Sequence, residues 1–295
     1  MNGELTVGIG GFGAIGATVA RALDDGIAGL KLIAVSARDR EAASGRMTGM
    51  KMPPPVMSLP ELAEYADIVV ECAPAAVFGE VADPAVAAGR IFVPLSCGVL
   101  LERQDLFEKV AVTGGRIVVP TGALLGLDAV RAAAEGEIYS VQMLTRKPPK
   151  SLAGAPYLIE NQIRIDDLDG PLKVFEGNAR EAAKAFPANV NVAAALSMAG
   201  IGPDKTTIEI WVDPAAERNT HNIKVDCNST RFDMTIEGIP SPGNPATGLL
   251  TPLSVIATLR GLVSTVKVGS CPRVLMKTII IFSYLKRLSK SLPGS

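Results

Sequence analysis

The sequence has few aromatic side chains and almost no net charge. Phe, Trp and Tyr together make up 4% of the 295 residues, and the formal net charge is −1. Proteins that bind nucleic acid generally present a basic surface, and many of them stack bases on aromatic rings. We therefore expect no nucleic-acid partner.

Cysteine and histidine are also scarce, and their spacing does not suggest a metal site. The cysteines are Cys72, Cys97, Cys227 and Cys271. They form no CxxC pair, and His221 is the single histidine, whereas zinc sites need several closely spaced Cys or His ligands. Residues 1–4 lead directly into an apolar run, so we expect no signal peptide and a cytoplasmic protein with reduced thiols.

Long hydrophobic runs are missing as well. None approaches the roughly 18 apolar residues that a membrane-spanning helix needs, so we expect no membrane span. Hydrophobic residues nevertheless make up 48% of the chain. That content, over a chain of this length, is enough for two domains that each bury a core.

The most informative segment is a glycine-rich turn near the start of the chain. The apolar run Leu5–Ile9 leads into GFGAIG at residues 11–16, after which apolar residues recur at helical spacing. This is the strand–turn–helix fingerprint of dinucleotide binding, in which the turn and the helix N-terminus receive a pyrophosphate. The pattern predicts cofactor contacts from Gly11, Gly13, Ala14 and Ile15.

The end of the second predicted strand bears on the choice of cofactor. An NAD-specific site usually carries an acidic residue there, which binds the ribose 2′-hydroxyl. This chain has Ser36 instead, followed by Arg38, Asp39 and Arg40. Ser36 and Arg38 would accept a 2′-phosphate, whereas Asp39 is a nearby carboxylate. The pattern favours NADP and leaves NAD open.

Alternating strands and helices in the first half predict an α/β fold with a Rossmann-type, doubly wound parallel sheet. The second half reads as an α+β substrate domain with an antiparallel or mixed sheet. We expect a dinucleotide-binding domain at 1–122, a substrate domain at 123–245 and a helix within 246–269 that packs back on the first domain. Residues 270–295 form an atypical basic tail.

Three features of the chain could carry chemistry. His221 lies in a polar, turn-like segment before a predicted strand, and imidazole is the natural acid or base near neutral pH. Cys97 follows a predicted strand, where it could line the cofactor crevice or act as a nucleophile. The basic cluster at 146–150 could bind a substrate carboxylate, but we expect it to be a solvated loop.

Several ordered motifs resemble the L-aspartate dehydrogenases, over roughly residues 5–269. Besides the glycine turn, they are SCGVL (96–100), VPTGALLGLD (119–128), TRKPP (145–149), FPANVNVA (186–193), NTHN (219–222) and LRGL (259–262). The resemblance implies that His221 is the catalytic histidine and that Ala123 and Asn189 contact the nicotinamide cofactor. The tail from Cys271 onward departs from the family.

The resemblance also implies a reaction. L-aspartate would be oxidised by NAD or NADP to 2-iminosuccinate, which yields oxaloacetate and ammonia or feeds NAD biosynthesis; the reverse amination uses the same site. A homodimer is the default assembly for such enzymes. Two alternatives remain open, namely an acylating semialdehyde dehydrogenase that uses Cys97 and a non-catalytic dinucleotide-binding redox sensor.

Overall fold

A six-stranded parallel sheet dominates the first half of the chain. The structure is a computed structural model that describes residues 3–187, 190–241 and 244–269. The strands are β1 (Leu5–Gly10), β2 (Leu30–Ser36), β3 (Val56–Met57), β4 (Ile68–Glu71), β5 (Ile91–Pro94) and β6 (Arg116–Ile117). They lie in the order β3-β2-β1-β4-β5-β6. The order reverses between β1 and β4, which is where such sheets bind ligands.

Helices cover both faces of this sheet. They are α1 (Ala14–Gly26), α2 (Arg40–Met47), α3 (Leu62–Tyr65), α4 (Phe78–Ala87), α5 (Cys97–Leu100) and α6 (Gln104–Thr113). The central strands are apolar on both sides because each side meets a helix layer. In β4, for example, Ile68 and Val70 pack with α1, whereas Val69 packs with α3 and α4. The prediction of a doubly wound parallel sheet is therefore confirmed.

A second, mixed sheet follows. Its strands are β7 (Ile138–Lys147), β8 (Leu172–Asn178), β9 (Thr206–Val212), β10 (Asn219–Cys227) and β11 (Arg231–Gly238), in the order β11-β10-β7-β9-β8. β7 and β9 are parallel, and the other neighbours are antiparallel. The helices of this half are α7 (Leu127–Ala133), α8 (Pro156–Glu160), α9 (Ala179–Ala185) and α10 (Asn191–Ala199).

The end of the described chain returns to the first sheet. A short ribbon of β12 (Pro240–Ser241) and β13 (Asn244–Gly248) leads into α11 (Leu250–Val263). Val255 and Leu259 of α11 are fully buried in the core that α1 and β1 also line. Residues 270–295, including Cys271, lie outside the described residues. In the part that is described, no helix is both long and apolar enough to cross a bilayer.

Two local predictions differ from the structure. The run of three prolines at 53–55 predicts a loop over residues 47–57, but the last two residues of that segment form β3, because Val56 and Met57 pair with Val35 and Ser36 of β2. His221 was expected in a turn-like segment, but it lies inside β10. The cause is tertiary in both cases, since a neighbouring strand supplies hydrogen-bond partners that local sequence patterns do not reveal.

Candidate active site

The glycine turn between β1 and α1 has the geometry of a phosphate cradle. Gly11 has a φ of +103°, and a Cβ there would lie 2.5 Å from the carbonyl oxygen of Cys72. A Cβ on Gly16 would lie 2.1 Å from the carbonyl oxygen of Gly11, whereas a Cβ on Gly13 would meet nothing within 4 Å. Packing thus requires glycine at the two outer positions, and the middle position faces open space. A pyrophosphate would fit that space.

The start of α1 is suited to an anion. Gly13 is the N-cap residue and has no side chain that could cap the first turn, and the first turn contains no acidic residue. Ala14 is exposed and Ile15 is half-buried. The N–H groups and the positive end of the helix dipole are therefore presented toward the open side of the turn.

The end of β2 lies directly beside this turn. The Ser36 carbonyl accepts a hydrogen bond of 3.0 Å from the Gly11 N–H. The Arg38 side chain is exposed. Asp39, the carboxylate that left the cofactor choice open, is the N-cap of α2 and accepts a hydrogen bond of 2.9 Å from the Ala42 N–H. Its carboxylate is thus already engaged by the chain itself.

One cleft brings together predicted residues from four separate parts of the chain. Ile15, Cys97, Ala123 and His221 all line it, and it encloses about 940 Å³ when its open mouth is included. Gly11, Gly13, Ala14, Ser36 and Arg38 are not among its lining residues; they lie around the glycine turn, from which Ile15 leads into the cleft. Asn189 lies outside the described residues, but Asn191 lines the cleft.

A buried glutamate that the sequence analysis did not identify supports the cleft wall at Cys97. Glu71 is fully buried at the end of β4. One carboxylate oxygen accepts hydrogen bonds from the N–H groups of Leu95 (3.1 Å) and Ser96 (2.9 Å), and the other accepts one from the Ser96 hydroxyl (3.0 Å). Burial raises the pKa of Glu71 above its usual value, against the opposing effect of these donors. The carboxyl group therefore anchors the loop that leads into α5.

Cys97 has the environment of a structural thiol. It is 4% exposed, and its Sγ lies 3.4 Å from the Pro94 carbonyl oxygen. Burial, with a further contribution from Glu71, raises the pKa of this thiol to about 12. A nucleophilic cysteine needs a lowered pKa. This environment does not favour Cys97 as a nucleophile, and its position fits a residue that lines the cofactor crevice.

His221 is a buried imidazole held by the neighbouring strand. It is 4% exposed and pairs in register with Thr145 on β7, whose Oγ1 lies 3.0 Å from His221 Nδ1. Burial, together with the positive charge of Lys147, lowers the pKa of His221 to about 3. The imidazole is therefore neutral around pH 7.

Lys147 corrects the prediction for the basic cluster. The cluster was expected to be a solvated loop, but Lys147 is the last residue of β7, is 6% exposed and lines the cleft. Burial lowers its pKa to about 8. Arg146 points to the opposite face of the sheet and forms an ion pair of 3.0 Å with Asp213. Buried residues alternate with more exposed ones along β7, and this alternation could have identified Lys147 as a buried residue.

Comparisons with known proteins agree with this arrangement. Residues 11–120 match the family model described as homoserine dehydrogenase, NAD binding domain, and residues 128–262 match the model described as aspartate dehydrogenase, C-terminal. The crystal structure of aspartate dehydrogenase from Thermotoga maritima superposes with a TM-score of 0.68 at 27% identity, covering 90% of this chain and 100% of that one. A homoserine dehydrogenase from Thiobacillus denitrificans, at 14% identity and a TM-score of 0.58, shares the fold.

Curated relatives are similar over almost their entire length. The chain is 54% identical to an L-aspartate dehydrogenase of Bradyrhizobium diazoefficiens, over 90% of this chain and 95% of the relative. It is 51% identical to L-aspartate dehydrogenase 3 of Bordetella bronchiseptica, over 90% of this chain and 98% of that relative. Identity at this level over this length leaves one conclusion: the chain belongs to the L-aspartate dehydrogenase family.

Proposed function

We propose that this protein oxidises L-aspartate with NAD or NADP, giving 2-iminosuccinate, which water converts to oxaloacetate and ammonia. The observation that carries the proposal is the shared cleft, which is lined by both His221 of the second sheet and Ile15 of the dinucleotide-type helix. Family membership supplies the substrate, since the relatives are named for L-aspartate. The semialdehyde dehydrogenase and redox-sensor alternatives have no comparable support.

In this proposal one part of the chain binds the cofactor and the other part binds the substrate. Residues 1–122 hold the dinucleotide, residues 123–245 hold the substrate, and the helix within 246–269 packs on the first part. Gly11, Gly13, Ala14 and Ile15 receive the pyrophosphate, because the turn is open at Gly13 and the helix N-terminus attracts an anion. We assign contacts with the nicotinamide part of the cofactor to Cys97 and Ala123, which line the cleft, and, from the family resemblance, to Asn189.

The chemical step needs a base. The cofactor, when bound, accepts the hydride that leaves Cα of aspartate. The hydride can leave only after the α-ammonium has lost a proton, because the nitrogen lone pair must form the new C=N bond. We assign the removal of this proton to His221, because its imidazole is neutral and lines the cleft. Thr145 holds the ring through Nδ1.

A direct test measures NAD(P)H formation by absorbance with a panel of amino acids and both cofactors. We expect activity with L-aspartate, and we expect His221→Ala to lower kcat by roughly 10²–10⁴-fold, the usual contribution of acid–base catalysis. Cofactor affinity should stay unchanged in that variant, because His221 does not belong to the glycine turn. Wild-type protein that reduces neither cofactor with aspartate would refute the proposal.

The finer biological assignments rest on general arguments. We propose a cytoplasmic homodimer whose small-molecule partners are L-aspartate, oxaloacetate and ammonia, and whose iminosuccinate feeds NAD biosynthesis. Dimers with twofold symmetry are the commonest assemblies of soluble enzymes, and the thiols of Cys72, Cys97 and Cys227 are free in the structure. Sedimentation analysis and subcellular fractionation would test the first two assignments.

A further inference from the structure

The described side chains that line the cleft include a positive charge and no negative one. Among the described residues that line it, Lys147 is the single Lys or Arg, and no Asp or Glu occurs. The remaining titratable groups of the lining are Cys97 and His221. A substrate with two carboxylates loses part of its hydration on entering such a cleft, and a buried cation offsets that cost.

The strand register places Lys147 at the same end of the sheet as His221. Val141, Met143, Thr145 and Lys147 alternate along β7 on its buried face, so this face changes from apolar to polar toward the cleft. Thr145 lies directly opposite His221 on β10. Lys147 is therefore the next residue on the same face beyond the one that contacts the imidazole.

Burying the Lys147 ammonium is energetically unfavourable, which indicates a functional role for this residue. Desolvation lowers the pKa of Lys147 to about 8, so the fold is destabilised by keeping it charged in the cleft. Its neighbours in the cluster do not line the cleft: Arg146 pairs with Asp213 on the other face, and Lys150 is exposed. A buried ionisable side chain that lines a cleft and has a shifted pKa is typical of binding and catalytic sites.

We propose that Lys147 is a substrate-binding residue whose ammonium pairs with a carboxylate of the bound dicarboxylate, beside His221. This inference rests on the proposed function and adds to it the group that recognises the substrate's negative charge. An ion pair inside the cleft is strong because water screens it little. It also orients the substrate, since the carboxylate is tied to one wall of the cleft while Cα approaches the cofactor side.

The ion pair has a consequence for the base. Besides burial, the charge of Lys147 lowers the pKa of His221. A carboxylate bound to Lys147 offsets that charge, so substrate binding raises the proton affinity of the imidazole when a base is required. Cys97 takes no part in this coupling, because its thiol stays protonated throughout the neutral range.

The test compares Lys147→Met with Lys147→Arg and with the matched control Lys150→Met, which removes an exposed lysine three residues away. The probe is succinate, a four-carbon dicarboxylate without an amino group, titrated calorimetrically into the protein with NADPH present. We expect Lys147→Met to weaken succinate binding by roughly 30-fold or more, as expected for the loss of one partner of a buried charge pair. The KM for aspartate should rise in parallel.

Three results should accompany that loss. NADPH affinity, measured by fluorescence, should stay within about threefold, since Lys147 lies on β7 and not in the glycine turn that receives the pyrophosphate. Lys147→Arg should retain part of the succinate affinity, and Lys150→Met should match wild type. Lys147→Gln provides a second uncharged variant if the methionine variant does not fold.

Succinate binding that is equal in wild type and in a folded, uncharged variant would overturn the inference. An equal loss of succinate and NADPH affinity would also overturn it, because that pattern indicates a structural role. Failure of the proposed function is distinguishable, since wild-type protein would then bind succinate through Lys147 without reducing either cofactor on addition of aspartate.

Discussion

At the residue scale, the polar side chains that cost the fold most are concentrated around the cleft. Glu71, Lys147 and His221 are each 6% exposed or less, and each belongs to a strand that ends at or near the cleft. Burying an ionisable group is unfavourable unless hydrogen bonds or charges compensate for it. Three donors of the loop before α5 bind Glu71, and Thr145 contacts His221; both Lys147 and His221 line the cleft. The choice between NAD and NADP also depends on individual side chains.

The first prediction concerns the choice of cofactor. Asp39 caps α2 and Ser36 is only 6% exposed, so the exposed Arg38 is the side chain that we expect to bind a 2′-phosphate at the end of β2. We expect Arg38→Ala to weaken NADP binding by roughly tenfold or more, because a charge-assisted hydrogen bond is lost, and to leave NAD binding nearly unchanged. Fluorescence titration with NADPH and NADH measures both affinities.

The control for that variant is Arg116→Ala, which removes an exposed arginine from β6 at the far edge of the same sheet. It should affect neither cofactor. Equal losses of NADPH and NADH affinity in Arg38→Ala would show that the arginine does not bind the 2′-phosphate.

At the element scale, α1 and its preceding turn show how one short segment serves both folding and binding. Gly11 and Gly16 are required by backbone packing, since a Cβ on either residue would overlap a carbonyl group. Gly13, between them, is required by no protein atom. Two outer glycines thus shape the turn, and the middle one keeps the space above it open.

This division predicts opposite behaviour for two substitutions in the same turn. Gly13→Val should fold with near wild-type stability and lose cofactor affinity, because its side chain would fill the pyrophosphate space. Gly16→Ala should lower the free energy of unfolding by about 2 kcal/mol or more, since even a methyl group overlaps the Gly11 carbonyl. Thermal denaturation and NADH titration distinguish the two effects. A Gly13→Val protein with unchanged affinity would show that the turn has only a structural role.

At the scale of the whole molecule, the first half of the chain meets the second around α5 and α10, where Cys97, Leu101 and Ala194 form a buried apolar cluster. Asn191 of α10 accepts a hydrogen bond of 3.0 Å from the Gly98 N–H of α5. Ser254 of α11 accepts one of 3.1 Å from the Gly122 N–H. These contacts join segments that are far apart in the chain and that border the cleft, so the cleft depends on the assembled molecule.

Stability of the unliganded protein should depend on pH through His221. Its folded pKa of about 3 lies below the usual 6.5, so the folded state resists protonation. The contribution of His221 to the free energy of unfolding is fully present above pH 6.5 and is lost as the pH falls toward 3. We expect the free energy of unfolding to drop by about 2 kcal/mol from this group between pH 7 and pH 5.

Chemical denaturation at several pH values, in wild type and in His221→Asn, measures this contribution. His221 is the single histidine of the chain, so the difference between the two proteins isolates one imidazole. Glu71, with its raised pKa, contributes with the opposite sign in both proteins and cancels in the comparison. Identical pH profiles would mean that His221 is accessible to protons in the folded state.

The sequence by itself determined the parts of this protein that depend on local pattern. The glycine spacing at 11–16 and the alternation of apolar runs with helical segments identify a dinucleotide-type parallel sheet, because the turn geometry and the periodicity are local properties. The ordered motifs up to 259–262 identify the family. His221, as the single histidine, needed no structure to be singled out.

Tertiary structure alone decided which polar groups are buried together. Lys147 lies between Arg146 and Pro148 in a segment that reads as a solvated basic loop, and it becomes a cleft residue because β7 is central in its sheet and alternates its faces. Glu71 is polar in an apolar strand, and its role depends on a loop 24 residues later. Burial and charge coupling arise from contacts between distant segments, so they are absent from any local pattern.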